Sequence, residues 1–276
     1  MEALTNIGDA WCASERSAPA CVGESVQRDT TRLCAQVALM LMQHGAESAL
    51  VENITNRLGL ALGVDRVELA LMASAIVITT LSKSHCITTV RRSQDHGINM
   101  HLVIEVQRAV IDLETGMIER EQLRERLNAI TSLRYPRVLV ALSIGVACAC
   151  FALLAHADLT ACLVTFVASG LAMFLRLHLA ALRFSPLVNF FVTALFATSL
   201  AAQGVLYGLG NTPKIAMAAC VLMLVPGFPL INAVSDMVKG YVNTGISRGA
   251  MGVMLCAATC AGIILSTTVW NVWGWL

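Results

Sequence analysis

The sequence predicts a membrane protein in which an N-terminal cytoplasmic α+β domain precedes about five transmembrane helices. Of its 276 residues, 57% are hydrophobic and only 13% are charged, and the mean hydropathy is +0.70. A soluble domain normally carries about a quarter charged residues. The charges are also unevenly placed, because all but seven of the Lys, Arg, Asp and Glu residues lie at or before Arg137. Such a drop indicates a change of solvent from water to lipid.

Three segments follow from this distribution. Residues 1–27 are polar, carry charges of both signs and lack a long apolar run, which is typical of a flexible tail. Residues 28–134 form the predicted cytoplasmic domain, and residues 135–276 form the predicted transmembrane domain. The formal net charge of +1 gives no electrostatic argument for a nucleic-acid partner.

The predicted cytoplasmic domain combines helical periodicity with short β-prone runs, a pattern typical of a compact α+β fold. The apolar spacing predicts helices over residues 30–44, 46–62, 100–114 and 118–130, and strands over 66–71, 75–80 and 85–91.

One segment of this domain carries residue types that could support catalysis. His44, Glu47 and Ser48 supply a base, an acid and a hydroxyl between two predicted helices. The simpler interpretation is a helix break at Gly45 followed by a new helix start. The ten cysteines form no recognisable ligand or disulfide framework. We therefore expect no catalytic site, no metal site and no cofactor.

Five apolar segments in the second half are long enough to span a bilayer. The predicted spans are 137–156, 159–176, 187–208, 214–236 and 249–271. Small residues within them, such as Gly145 and Gly252, predict close approach between helices.

The basic residues that flank the spans predict their orientation. One side carries Arg134, Arg137, Arg176, Arg183, Lys239 and Arg248, whereas the other carries Lys214. The N-terminus is therefore predicted to be cytoplasmic and the C-terminus periplasmic. Trp270, Trp273 and Trp275 suit an outer interfacial belt.

The fourth span contains a Pro-Gly-Phe-Pro motif near its middle. Each proline is expected to remove a backbone hydrogen bond of the helix and to clash with the preceding turn, so a helix break is expected there. Broken helices inside membranes form substrate sites, in which the new half-helix presents its N–H groups to an anion. The substrate-binding residues predicted on this basis are Pro226, Gly227, Phe228, Pro229, Asn232, Ser235 and Asp236. The alternative interpretation is a proline kink that only shapes packing.

Other polar residues extend this predicted pathway. Arg176, Arg183, Lys239 and Arg248 would concentrate anions at a cytoplasmic entrance. Asn189 and Thr193, four residues apart on the third span, could line the pathway. Asp236 is interpreted as a proton-linked gate, as a brace for a basic residue, or as an anchor at the membrane interface.

Three stretches resemble the threonine/serine exporter family: residues 31–59, 84–110 and 225–250. In the last stretch the Pro-Gly motif is followed by Asp236, Gly240, Gly245 and Arg248. The resemblance covers residues 28–276 and implies a subunit of a bacterial inner-membrane exporter. Longer members of the family fuse a second block of spans to this one, so the resemblance also implies a separate, smaller membrane subunit and a higher oligomer.

The resemblance implies a small carboxylate as substrate: succinate or another C4-dicarboxylate in two-subunit members, or threonine and serine as the alternative. A dianion leaving a negative-inside cell gains about 4.6 kcal/mol per 100 mV, whereas a zwitterion gains nothing. Two more remote alternatives are a membrane-anchored enzyme or sensor that uses the soluble domain, and a regulatory subunit whose partner contains the whole pathway.

Overall fold

A computed structural model describes residues 24–72, 74–83, 85–133 and 135–272. The chain divides into two compact units, residues 1–132 and residues 133–276. Most of the predicted tail lies outside the described residues, as do Arg134, Trp273 and Trp275. The last four residues assigned to the tail belong to the first described helix, in which Gln27 is fully buried.

The first unit contains four described helices and three strands, which confirms its predicted α+β character. Its elements are α1 (Glu24–Gln43), α2 (Ser48–Ala61), β1 (Arg66–Leu71), β2 (Ala75–Ser82), β3 (His85–Arg92), α3 (Met100–Glu114) and α4 (Arg120–Ala129). The strands form an antiparallel sheet in the order β1-β2-β3. In this register Val77 of β2 lies opposite Ala70 on one side and Val90 on the other.

One face of the sheet packs against the helices. Side chains alternate along β2, so that Ile76 and Ile78 are buried while their neighbours are half-buried. Helix α1 packs on β2 and β3, and α2 packs on β1. Leucines and valines supply most of the remaining core. Burial raises the pKa of the Cys34 thiol to about 12. Cys34 is therefore an unreactive core residue at neutral pH.

The second unit is entirely helical in its described part. Its elements are α5 (Arg137–Leu154), α6 (Leu159–Ala181), α7 (Pro186–Leu206), α8 (Pro213–Cys220), a 3-10 turn (Leu222–Leu224), α9 (Gly227–Val238) and α10 (Val242–Val269). Four of these helices are long and apolar enough to cross a membrane, or five if α8 with the 3-10 turn and α9 count as one bent span. The chain is thus a multi-pass membrane protein by length and composition.

Two helices extend five or more residues beyond the apolar windows that the sequence predicts. Helix α6 continues to Ala181, so Arg176 lies inside the helix rather than at its end. Helix α10 begins at Val242, seven residues before the predicted start, and therefore includes Arg248. Hydropathy detects only the apolar part of a helix, whereas the helical backbone continues through polar residues at its ends.

Small residues bring the helices of the second unit close together. A Cβ atom on Gly145 of α5 would lie 3.0 Å from the Phe166 carbonyl oxygen of α6, and one on Gly252 of α10 would lie 2.7 Å from Leu230 of α9. The close approach predicted at these two glycines is confirmed. Apolar lipid does not drive helices together, so such contacts hold a membrane bundle by packing.

Candidate functional site

The membrane unit has a break between α8 and α9. After the 3-10 turn, Val225 is extended, with φ −67° and ψ 118°, and α9 starts two residues later. The helix axes before and after this point differ by 55°. We call Val225 and Pro226 the break. A bend of this size within an apolar segment exposes backbone polar groups that lipid cannot satisfy.

The two prolines of the motif have different roles in this geometry. Pro226 caps α9, whereas Pro229 is the third residue of α9. An N–H in the first turn of a helix has no intrahelical acceptor, so proline at that place removes nothing from the helix. The expectation that each proline removes a helical hydrogen bond is therefore wrong for Pro229. One interruption is present, and Pro229 stabilises the start of the helix that follows it.

The start of α9 offers few free N–H groups. Gly227 donates its N–H to the Val225 carbonyl oxygen at 2.8 Å, and Leu230 donates to Pro226 at 3.2 Å. Pro229 has no N–H to donate. Within the described chain, Phe228 is left as the one residue of this turn whose amide makes no backbone hydrogen bond. An anion at this helix start would therefore need donors from side chains as well.

Helices α9 and α10 carry a buried ion pair. Arg248 Nη1 donates to Asp236 Oδ2 at 2.8 Å, and the Asp236 side chain is 0% exposed against 19% for Arg248. The two helices approach closely here, because a Cβ atom on Gly245 would lie 2.9 Å from the Ala233 carbonyl oxygen. This contact is the geometry expected for the second of the three roles considered for Asp236, a brace for a basic residue.

Two other predicted residues lie on α9 within one helical turn of Asp236. Asn232 and Ser235 are both half-buried on this helix. Lys239 follows the helix and is exposed, whereas Arg248 is turned toward Asp236 rather than open to an entrance.

A second polar group of residues lies on α6 and α7. Arg176 Nη1 donates to the Met223 carbonyl oxygen at 3.3 Å, and the guanidinium carbon lies 4.4 Å from the centre of the Phe190 ring. Asn189 donates to the Arg176 carbonyl oxygen at 3.2 Å and accepts from the Thr193 hydroxyl at 3.2 Å. Three predicted residues thus form one continuous chain that ends at the 3-10 turn before the break.

Arg183 is separate from this chain. It is exposed just beyond the end of α6 and has a φ of 59°. The four basic residues predicted to form one entrance therefore differ in environment. Arg183 and Lys239 are exposed, Arg248 is paired with an acid, and Arg176 contacts a backbone carbonyl and an aromatic ring.

Sequence reasoning missed Met223 and Phe190. Met223 contributes a main-chain oxygen, so its side chain carried no signal. Phe190 is one of eight phenylalanines, mostly in apolar segments. Its position next to the predicted Asn189 was the available clue, since Asn189 and Phe190 both contact Arg176.

A polar cluster also ties two loops of the second unit together. The Asp158 carboxylate accepts from the Thr212 amide at 3.1 Å and from the hydroxyls of Thr160 and Thr212. These hydrogen bonds hold the pKa of Asp158 well below its usual range. The carboxylate is fully used in joining the segment before α6 to the segment before α8, so its role is structural.

The candidate catalytic segment of the first unit is built into the turn between α1 and α2. His44 Nδ1 lies 2.8 Å from the Met40 carbonyl oxygen, and its ring lies edge-on to His96 at 5.6 Å. Ser48 begins α2 and is almost completely buried. A hydroxyl in that position is poorly placed to attack a substrate. Among the described residues, no group of three or more His, Cys, Asp or Glu side chains could hold a metal ion.

Comparison with known proteins identifies a family and several relatives of this chain. The family profile described as "Putative threonine/serine exporter" (ThrE) matches residues 32–270. The chain is 49% identical to the "Probable succinate transporter subunit YjjP" of Escherichia coli K12 over 253 residues, covering 91% of this chain and 98% of that protein. Its counterpart of the same name in Klebsiella aerogenes is 48% identical with the same coverage.

An uncharacterized protein of Haemophilus influenzae is 50% identical over 139 residues, which is 50% of this chain and 47% of that protein. No solved structure matches. The family profile covers α1 from Arg32 onward, the turn at His44, the break, and the pair Asp236–Arg248. The chain belongs to the threonine/serine exporter family.

Proposed function

We propose that the chain is one subunit of an inner-membrane exporter that moves a small dicarboxylate, succinate in the first place, out of the cytoplasm. A smaller membrane subunit would complete the exporter. Two relatives at 49% and 48% identity bear the name "Probable succinate transporter subunit", and the word subunit in that name supports a partner. The N-terminus would be cytoplasmic and the C-terminus periplasmic.

The single observation that carries the proposal is the 55° bend between α8 with its 3-10 turn and α9. Interrupted helices persist in membranes where protein or water contacts the freed backbone groups, and transporters use such breaks as substrate sites. The proposed binding region comprises the motif and the polar residues of the following half-helix: Pro226, Gly227, Phe228, Pro229, Asn232, Ser235 and Asp236.

Within this region we assign Asp236 to holding α9 against α10. Its carboxylate already accepts a hydrogen bond from Arg248 and is fully buried. A free carboxylate here would repel an anionic substrate, whereas a paired one is neutralised. Asn232 and Ser235 are the side chains on the same half-helix that can donate hydrogen bonds to an anion.

The cytoplasmic entrance would be formed by Arg183 and Lys239, which are exposed. Their charge would raise the local concentration of a dianion. Asn189 and Thr193 would line the pathway from α7, since both are buried and linked by a hydrogen bond.

Membrane voltage separates a dicarboxylate from the alternative substrates threonine and serine. A dianion moving outward gains about 4.6 kcal/mol per 100 mV of negative interior, which is enough to drive export without a coupling ion. A zwitterion gains nothing from the voltage and would need exchange with protons or another ion.

The test is to purify the chain together with its smaller membrane partner, reconstitute both into vesicles, and measure efflux of succinate and of threonine. We expect succinate efflux to accelerate when the interior is made negative, and to stop when either subunit is omitted. Asn232→Ala should slow it, whereas Val234→Ala, an exposed apolar residue on the same helix, should not. Efflux that is indifferent to voltage, or selective for threonine, would contradict the dicarboxylate proposal.

A further inference from the structure

Arg176 differs from the other basic residues of the membrane unit. Arg137, Arg183, Lys214 and Lys239 are exposed, and Arg248 is paired with Asp236. Among the basic residues that the structure describes in this unit, Arg176 alone is neither exposed nor paired with a carboxylate. An unpaired cation within an apolar unit is costly, and such residues mark substrate or ion pathways.

The guanidinium of Arg176 has spare hydrogen-bonding capacity. It carries five N–H donors in a planar fork. Across the described residues its one hydrogen bond to protein is the 3.3 Å bond from Nη1 to the Met223 carbonyl oxygen. A neutral carbonyl at that distance is a weak acceptor, and a carboxylate would form two shorter, charge-assisted bonds with the same fork.

The surroundings fix the fork in one orientation. Phe190 covers one face of the guanidinium at 4.4 Å, which leaves its edge for in-plane acceptors. Asn189 holds the backbone of Arg176 through the Arg176 carbonyl oxygen. Met223 lies in the 3-10 turn immediately before the break, so the fork is directed at the segment where the helix is interrupted.

We propose that Arg176 binds one carboxylate group of the exported anion, and that this carboxylate replaces the Met223 carbonyl oxygen as its acceptor. The inference rests on the proposed export function and assigns a specific residue to substrate recognition. It also gives a reason for preferring a dicarboxylate, because the second carboxylate remains available to the donors that follow the break.

Arg176→Gln and Arg176→Lys test the assignment in the purified two-subunit complex. Arg137→Gln is the matched control, since it removes the same charge from an exposed residue at the start of α5. We expect Arg176→Gln to raise the KM for succinate efflux about tenfold to a hundredfold, the range for loss of hydrogen bonds to a charged group. Arg176→Lys should give a smaller rise because it retains the charge but not the fork.

A second readout separates recognition from a general structural defect. Succinate should raise the thermal unfolding midpoint of the unaltered complex and of Arg137→Gln, and should raise it less in both Arg176 variants. In succinamate one carboxylate of succinate is replaced by an amide. The difference in KM between the unaltered complex and Arg176→Gln should therefore be smaller for succinamate than for succinate. If Arg176→Gln does not assemble, the KM and the stabilisation by succinate are compared between the unaltered complex and Arg176→Lys, and that comparison tests the assignment.

The outcomes distinguish the two proposals. If the unaltered complex exports succinate and the Arg176 variants retain its KM and its stabilisation by succinate, the assignment of Arg176 is wrong and the export function stands. If the unaltered complex neither exports succinate nor is stabilised by it, both proposals fail.

Discussion

The first unit of the chain buries large apolar side chains, whereas the second buries mainly small ones. In the first unit the fully buried residues include Leu33, Leu41, Leu58, Ile76 and Leu123. In the second unit the buried clusters consist mainly of alanines, while large apolar residues such as Leu139 and Phe151 lie on the outside. The same apolar residue types therefore occupy opposite positions in the two halves of one polypeptide.

The difference follows from the solvent that each half is built for. In water, burying large apolar groups stabilises the fold. In lipid that term is absent, so small residues and hydrogen bonds allow helices to pack closely. Ion pairs follow the same division, because Glu24 and Arg28 of α1 are more than half exposed, whereas Asp236 is fully buried. A pair of the same chemistry should thus be worth different amounts in the two units.

The largest effect is expected for Asp236→Asn. This change leaves Arg248 without its acid in a buried position, and breaking a buried pair by removing one partner costs about 3–5 kcal/mol. The free energy of opening can be measured from the rate at which a thiol reagent modifies Cys220, which is fully buried in the same unit. The double variant Asp236→Asn, Arg248→Gln should recover part of the loss. Unchanged protection of Cys220 in Asp236→Asn would show that the pair has no role in stability.

Leu58→Ala should have the next largest effect. Leu58 is completely buried in the first unit, so truncation leaves a cavity that costs about 2–5 kcal/mol. Leu139→Ala in α5 is the matched control, because that side chain is half exposed and its truncation should cost less than about 0.5 kcal/mol. Protection of Cys34 reports the first unit and protection of Cys220 the second. Equal losses in the two variants would contradict the conclusion that large apolar side chains are buried in the first unit and exposed in the second.

A smaller effect is expected from Gly262→Ala in α10. The added Cβ atom would lie 2.6 Å from the Phe191 carbonyl oxygen and 2.9 Å from the Ala194 side chain, so α7 and α10 must separate. Overpacking of this kind costs about 1–3 kcal/mol. Gly249→Ala on the same helix is the control, since its Cβ would meet nothing closer than 3.6 Å. Cys220 protection should fall in Gly262→Ala and should hold or rise in Gly249→Ala.

The sequence predicted much of the fold because the governing patterns are local. The residues of β1 and β2 alternate or cluster as β-prone runs, and these strands start at Arg66 and Ala75 as expected. Likewise, hydropathy located the apolar helices, and the proline motif marked the segment in which the helix bends. Each of these features depends on neighbouring residues, which a single sequence displays directly.

The geometry at the candidate site was less predictable because it depends on contacts distant in sequence. Arg176 and Met223 are 47 positions apart, and the acceptor is a main-chain oxygen that any residue could supply. The pairing of Arg248 with Asp236 required the turn between α9 and α10 to set the register of the two helices. Pro229 was misjudged for a local reason, because its effect depends on the residue at which α9 begins.

The smallest effect is expected from Glu114→Gln, which makes the same acid-to-amide change as Asp236→Asn but in the first unit. Arg57 Nε donates to Glu114 Oε2 at 3.0 Å, and both side chains are 39% exposed. The Glu114 hydrogen bond raises the pKa of Arg57. The stabilisation that comes from the Arg57 charge is therefore present at neutral pH and is lost as the pH rises through that raised pKa. Water and salt screen such a pair, so its loss should cost less than about 1 kcal/mol and should shrink at high ionic strength. Cys34 protection, measured at low and high salt, should therefore change little. A loss as large as that of Asp236→Asn would mean that solvent does not decide what an ion pair is worth in this chain.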